Sequence, residues 1–277
     1  MTTPKLLGAF AAVALLAACA PAARSSAPDA ELRVLVYNIH AGKDAAGQEN
    51  LARVAAVVRD AGADVVLLQE VDRGTRRSGG VDQVAELARR TGFHAAFGRT
   101  LDYDGGAYGI ALLSRWPVQH DSLVRLPVQP PQQRAGGAYE PRGALVARVT
   151  APWGALSLVT THLDASRDDV YRLQEVRTVV AAAGDARAGA TLALVGGDFN
   201  ATPESGVHAA LRDAGWRDAW TACGRGDALT YPAGVPVKRI DYLYLPPGAT
   251  CREARVLAGD ASDHRALLVR VARDAAR

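Results

Sequence analysis

Between residues 32 and 271 the chain alternates short apolar runs with longer stretches whose apolar positions recur at helical spacing. Runs at 32–38, 64–70, 109–114, 143–150, 155–162, 191–197, 240–245 and 265–271 are rich in Val, Ile and Leu and bounded by Gly, Pro, Asp or Asn, which predicts strands. Three other stretches predict helices, because their apolar side chains fall on one stripe. These are 49–60 with Leu51, Val54, Val57 and Val58, 81–90 with Val84, Leu87 and Ala88, and 170–183 with Leu173, Val176, Val179 and Val180. Strands interleaved with helices imply a layered α/β fold. The stretch 115–142 carries five prolines and the pair Gly136-Gly137, so part of it is expected to be a long surface loop. Such a loop either contacts a ligand at an active face or is a plain crossover, with Arg125, Arg134 and Tyr139 as ordinary surface residues.

The pattern before residue 32 is different. Lys5 precedes an apolar stretch from Leu6 to Ala18 that is too short to span a bilayer comfortably, so 1–18 read as an export signal. Leu16-Ala17-Ala18-Cys19 resembles the bacterial lipobox, in which Cys19 carries the lipid; a soluble secreted protein with a chance cysteine is the alternative. Residues 19–31 would then be the anchor cysteine and a flexible Ala/Pro/Ser tether reaching on the order of 20 Å. Residues 32–273 form the one remaining domain, expected to be monomeric in the cell envelope.

Composition narrows the picture little: 277 residues, 49% hydrophobic and 22% charged, suit one large core. The formal charge of +3 falls to +2 without the signal, too small a balance to indicate a nucleic-acid partner, although it does not exclude one. Cys223 and Cys251 remain in the mature domain, and an exported compartment permits them to pair as a disulfide; two buried thiols are the other reading.

Candidate chemistry lies at the strand ends. Asn38, Glu70 and His162 close three apolar runs, Asp198 and Asn200 follow a fourth, Asp241 sits in Arg-Ile-Asp-Tyr at the start of a fifth, and Asp263-His264 precedes the last. Oxygen-bearing side chains at strand ends converge on one rim of a sheet, where they suit Mg²⁺ or Mn²⁺. Singly, each has a bland reading as a cap, a turn residue or an ion-pair partner, such as Asp241 with Arg239. Arg73, Arg76 and Arg77 follow Glu70 and stand either toward an anionic substrate or in solvent; His94, His120 and His208 read as structural or surface residues.

These residues sit in seven ordered motifs: Tyr-Asn-Ile-His (37–40), Leu-Gln-Glu-Val-Asp (68–72), Tyr-Gly-Ile-Ala-Leu-Leu-Ser-Arg (108–115), Thr-His-Leu-Asp (161–164), Gly-Asp-Phe-Asn-Ala-Thr-Pro (197–203), Arg-Ile-Asp-Tyr (239–242) and Ser-Asp-His-Arg (262–265). Together they resemble the endonuclease/exonuclease/phosphatase superfamily over nearly the whole mature chain. The resemblance implies a four-layer α/β/β/α sandwich of two packed mixed sheets. It implies Glu70 as main metal ligand with Asn38 and Asp263 beside it, Asp198 acting on the attacking water, and His162 and Asn200 on the phosphate. It also implies an Asp241–His264 pair at the scissile phosphate. Tyr108 and Arg142 are further candidates for substrate binding. The chain departs from the common pattern at Ile110, where many relatives carry Asn, and at His40, where nuclease relatives often carry a second acid. The expected function is divalent-metal-dependent hydrolysis of a phosphate ester, of phosphodiesterase, nuclease or phosphatase type. A catalytically silent binding module that kept the fold is the alternative.

Overall fold

The computed structural model describes residues 1–2 and 31–272. Most of the expected export signal, Cys19 and most of the tether therefore lie outside the described residues, as does Arg273. In chain order the elements are β1 Glu31–Asn38, α1 Leu51–Asp60, β2 Val65–Arg73, α2 Gln83–Thr91, β3 His94–Tyr103, β4 Gly106–Ser114, β5 Val118–Arg125, β6 Gly143–Ala151, β7 Gly154–His162, α3 Val170–Arg187, β8 Leu192–Asp198, α4 Val207–Asp213, β9 Arg217–Asp218, α5 Ala219–Cys223, β10 Asp241–Leu245, β11 Cys251–Val256 and β12 Leu267–Ala272.

The strands form two six-stranded sheets, ordered β11-β12-β1-β2-β4-β3 and β5-β6-β7-β8-β10-β9. Both are mixed. β1 pairs parallel with β2 across the α1 crossover, and β7 pairs parallel with β8 across α3, the connection that parallel neighbours require. The two-residue period of a strand sorts the side chains. Leu67 joins Ile110, Leu145, Leu158, Leu194 and Leu243 between the sheets. Leu68 turns the other way and packs with Leu35 and Leu113 against Val54, Val58 and Leu87 of α1 and α2. On the far side Val159, Val195 and Tyr244 meet Val176 and Val179 of α3 and Leu211 of α4. The layers are thus helix, sheet, sheet, helix, as the sequence motifs imply.

Within 115–142 the chain first makes β5 and only then loops, with Tyr139 N–H donating to Asp164 Oδ1 and Leu126 N–H to Arg142 O. Cys223, ending α5, is disulfide-bonded to Cys251, opening β11, with Cα atoms 5.8 Å apart. Ile110 is core between the sheets, so the position has no polar partner to offer. Arg73, Arg76 and Arg77 are held by Asp82, Asp104 and Asp72 respectively. Arg239 pairs with Asp218 rather than Asp241.

Candidate active site

Strand direction brings the polar motifs to one end of the sandwich. β1, β7 and β8 all finish there, with Asn38, His162 and Asp198 as their last residues. His162 and Asp198 are register partners across the parallel pair. β10 runs against β8, so its first residue, Asp241, faces Asp198. Gly197 makes that approach possible: its φ is +150°, and a Cβ there would lie 1.9 Å from the carbonyl oxygen of Thr161. Glu70 arrives by a different device. The β2–β4 register slips between Leu68 and Val71, and Glu70 takes a left-handed φ of 55° in that bulge. Bulges of this kind re-aim a side chain beside functional sites.

At the centre is a chain of buried polar groups. His264 Nδ1 lies 2.9 Å from Asp241 Oδ2, and its Nε2 lies 3.6 Å from Asp198 Oδ2. The Asn38 amide donates to Glu70 Oε1 and to Asp198 Oδ2, both at 3.0 Å, while its oxygen accepts from the backbone N–H of His40 at 3.1 Å. Asn38 therefore acts here as a bracket between two carboxylates. Burial and the neighbouring Asp241 push the Asp198 carboxyl up to about 7, against the pull of His264, the Asn200 N–H and Asn38. Burial opposes charge on His264, but Asp241, Asp198 and Asp263 outweigh it and hold the ring up at about 10. His162 goes the other way: burial, then the charges of Arg142 and His264, depress it well below an ordinary histidine.

His162 Nδ1 meets Arg142 Nη1 at 2.7 Å, and its Nε2 lies 3.0 Å from Asn200 Nδ2 and 3.5 Å from Asp198 Oδ2. Arg142, only 2% exposed, also pairs with the fully buried Glu140 at 2.7 Å. It thus stands behind His162, although one edge of it reaches the cavity. Tyr108 is buried as well, its hydroxyl without a hydrogen-bond partner among the described residues. Burial and the charges of Glu70 and Glu140 raise it well above an ordinary tyrosine.

Above these groups opens a cavity of about 750 Å³ lined by Glu70, His162, Asp198, Asn200, Asp263 and His264 among others. Asn38, Asp241 and Tyr108 support it from behind. Sequence reasoning missed Tyr231, whose ring centroid is 4.8 Å from that of His264 at the cavity wall, and Glu140. Nothing in the local pattern around either marks it.

The donor set fits a hard divalent cation. Glu70 and Asp263 line the cavity and neither is paired with a lysine or arginine among the described residues. The tightest group of ligating atoms among the described residues is Asp198, Asp241 and His264, all within 4.8 Å of one another. Within that group His264 Nδ1 is bonded to Asp241 Oδ2, while Asp241 Oδ1 has no hydrogen-bond partner among the described residues, and Glu70 and Asp263 offer further carboxylate oxygens on the cavity side.

Comparison with known proteins agrees with this geometry. The family model for the endonuclease/exonuclease/phosphatase family matches residues 35–264. The chain belongs to that family, whose members are generally phosphoester hydrolases. The Escherichia coli K12 protein YbhP, described as uncharacterized, is 28% identical over 223 residues, covering 77% of this chain and 84% of its own. The structure of an endonuclease/exonuclease/phosphatase from Beutenbergia cavernae superposes with a TM-score of 0.71 at 24% identity, covering 87% of this chain and 71% of that one. A mannosyl-6-phosphatase from Bacteroides thetaiotaomicron also gives 0.71, at 17% identity, covering 87% of this chain and 99% of its own. At these identities the structural matches establish the fold.

Proposed function

We propose that this protein hydrolyses a small phosphate ester in the bacterial cell envelope with the help of Mg²⁺ or Mn²⁺. The observation that carries the reading is convergence: Asp198, His264, His162 and Asn200 meet the carboxylates Glu70 and Asp263 on one cavity. A cation held by Glu70, near Asn38 and Asp263, would neutralise phosphate charge and favour attack by water. Asp198, raised toward neutrality, suits a group that takes a proton from the attacking water. His264, kept protonated by Asp241, suits one that delivers a proton to the departing oxygen. His162 and Asn200 stand where non-bridging phosphate oxygens would be held, and such donors gain strength in a buried site as charge develops.

The cavity favours a small substrate over a long polynucleotide. Its exposed cations, Lys238 and Arg167, share the rim with Asp168 and Glu204, whereas a nucleic-acid track needs a run of positive charge. One observation favours a second reading, an amphiphilic phosphate ester. Val235 and Val237 are 78% and 65% exposed on the hairpin whose base residues Tyr231 and Lys238 line the cavity. The silent-module alternative leaves this complete set of groups without a purpose.

The test is hydrolysis by the purified chain with Mg²⁺, Mn²⁺ or a chelator. The panel is sugar phosphates, p-nitrophenyl phosphate, bis-p-nitrophenyl phosphate, phospholipid, RNA and plasmid DNA. Chelator-sensitive turnover that Asp198→Ala abolishes supports the enzyme; tight binding of a phosphate ester with no turnover supports the module. Export and lipidation at Cys19 belong to the same proposal: Cys19→Ala should move the protein from the membrane to the soluble fraction, and an unchanged distribution would remove the anchor.

A further inference from the structure

We infer that Arg142, fixed by Glu140, is a positioning residue that locks His162 in the neutral form with its proton on Nε2, facing the cavity. This deepens the hydrolase reading, but its first test does not depend on it. Hydrogen-bond acceptor capacity decides the tautomer. Both ring nitrogens of His162 have a nitrogen neighbour, Arg142 Nη1 at 2.7 Å and Asn200 Nδ2 at 3.0 Å. A neutral imidazole has one acceptor, so it cannot receive from both. Arg142 cannot yield, because a guanidinium has no lone pair to offer and this one is buried and charged. Asn200 can yield, since its amide already donates to Leu163 O at 3.0 Å. Nδ1 is therefore the acceptor and Nε2 carries the proton. The acceptors in front of Nε2–H are Asp198 Oδ2 at 3.5 Å and any oxygen that occupies the cavity.

The loop before β6 exists in part to build this lock. Its Gly136 N–H and Gly137 carbonyl bind Glu140 Oε2 and Arg142 Nη2 respectively, and both glycines take a left-handed φ of 87°. Tyr139 N–H ties the same turn to Asp164, two residues beyond His162. Glu140 and Arg142 meet at 0% and 2% exposure, and Arg142 Nη1 contacts both Glu140 Oε1 and the imidazole. A loop whose sequence fits either a ligand contact or a plain crossover is an orienting device for one histidine.

The direct experiment is a long-range ¹H–¹⁵N spectrum of the full chain labelled at histidine, with His162 assigned by its loss in His162→Phe. A bare Nδ1 and a protonated Nε2 are expected; a protonated Nδ1 overturns the inference without any variant of Arg142. In Arg142→Met the two tautomers should mix, and kcat should fall about 10- to 100-fold, the usual scale for groups that orient a ligand or acid from behind. Because Arg142 acts through His162, the double variant should be no slower than His162→Phe alone. Multiplicative losses, or an unchanged His162 spectrum in a folded Arg142→Met, would falsify it. Should that variant unfold, Arg142→Lys, which keeps the charge beside Glu140, replaces it in the same spectrum and cycle. A chain that shows the expected tautomer yet hydrolyses nothing would defeat the hydrolase reading and leave the lock standing.

Discussion

Asp198 and His264 lie 3.6 Å apart and are perturbed in directions that fit opposite tasks. The carboxyl is raised to about 7 by burial and Asp241, and the ring is held at about 10 because carboxylates outweigh its burial. A base must be deprotonated and an acid protonated, so kcat/KM should rise with pH through about 7 and fall through about 10. A pH–rate profile checks this, and an ascending limb that survives in Asp198→Asn would assign it elsewhere. Asp198→Ala and His264→Ala should each abolish turnover without loss of fold, seen as native circular dichroism with no hydrolysis. Gly197→Ala should do more damage than its one methyl suggests, since the new Cβ lies 1.9 Å from Thr161 O. Displacement of Asp198 and destabilisation of about 3 kcal/mol or more are expected, measured by urea unfolding. The residues at these positions were legible in the sequence because a polar side chain closing an apolar run has no role in the core. Glu140 and Tyr231 were not, because both sit in Pro/Gly-rich loops without periodicity and reach the site only through tertiary structure. Arg142 was visible as a candidate, but its direction was not: in the fold it points to His162 and Glu140.

The eight strands that the apolar runs predict are the eight interior strands of the two sheets. The four that they miss, β3, β5, β9 and β11, are the four edges. An interior strand is covered on both faces and reads as a continuous run, as in β8, buried at every residue. An edge strand has one neighbour and keeps polar or charged side chains, which discourage edge-to-edge association. β5, Val-Gln-His-Asp-Ser-Leu-Val-Arg, is exposed over most of its length and carries no such signal. Helices α4 and α5 were missed for their shortness, at 7 and 5 residues. The edge strand β11 gains an anchor instead from the Cys223–Cys251 bond to α5, across a separation of 28 residues. Closing a loop of that size is worth about 3.5 kcal/mol through the unfolded chain. Cys223→Ala/Cys251→Ala should lower unfolding free energy by roughly that amount in denaturant titrations, with turnover unchanged because neither cysteine lines the cavity.

At the scale of the whole molecule, stability and chemistry draw on separate parts. Three apolar layers, one between the sheets and one under each helical face, run the length of the fold without involving the metal candidates. Removing divalent ions should therefore stop turnover while leaving circular dichroism unchanged. The melting temperature should fall only by the small amount expected from losing one bound ligand. Collapse of the fold on chelation would make the cation structural. The same separation appears in where the strands begin. Glu31, which opens β1, is the register partner of Ala272, which closes β12, while the other end of β1 delivers Asn38 to the site. Both ends of the described domain thus emerge side by side, a full strand length of about 25 Å from the cavity. Immobilising the protein on a bead or electrode by either end would leave its mouth facing the bulk liquid. Joining the two ends by a short linker and reopening the chain elsewhere should yield a working circular permutant.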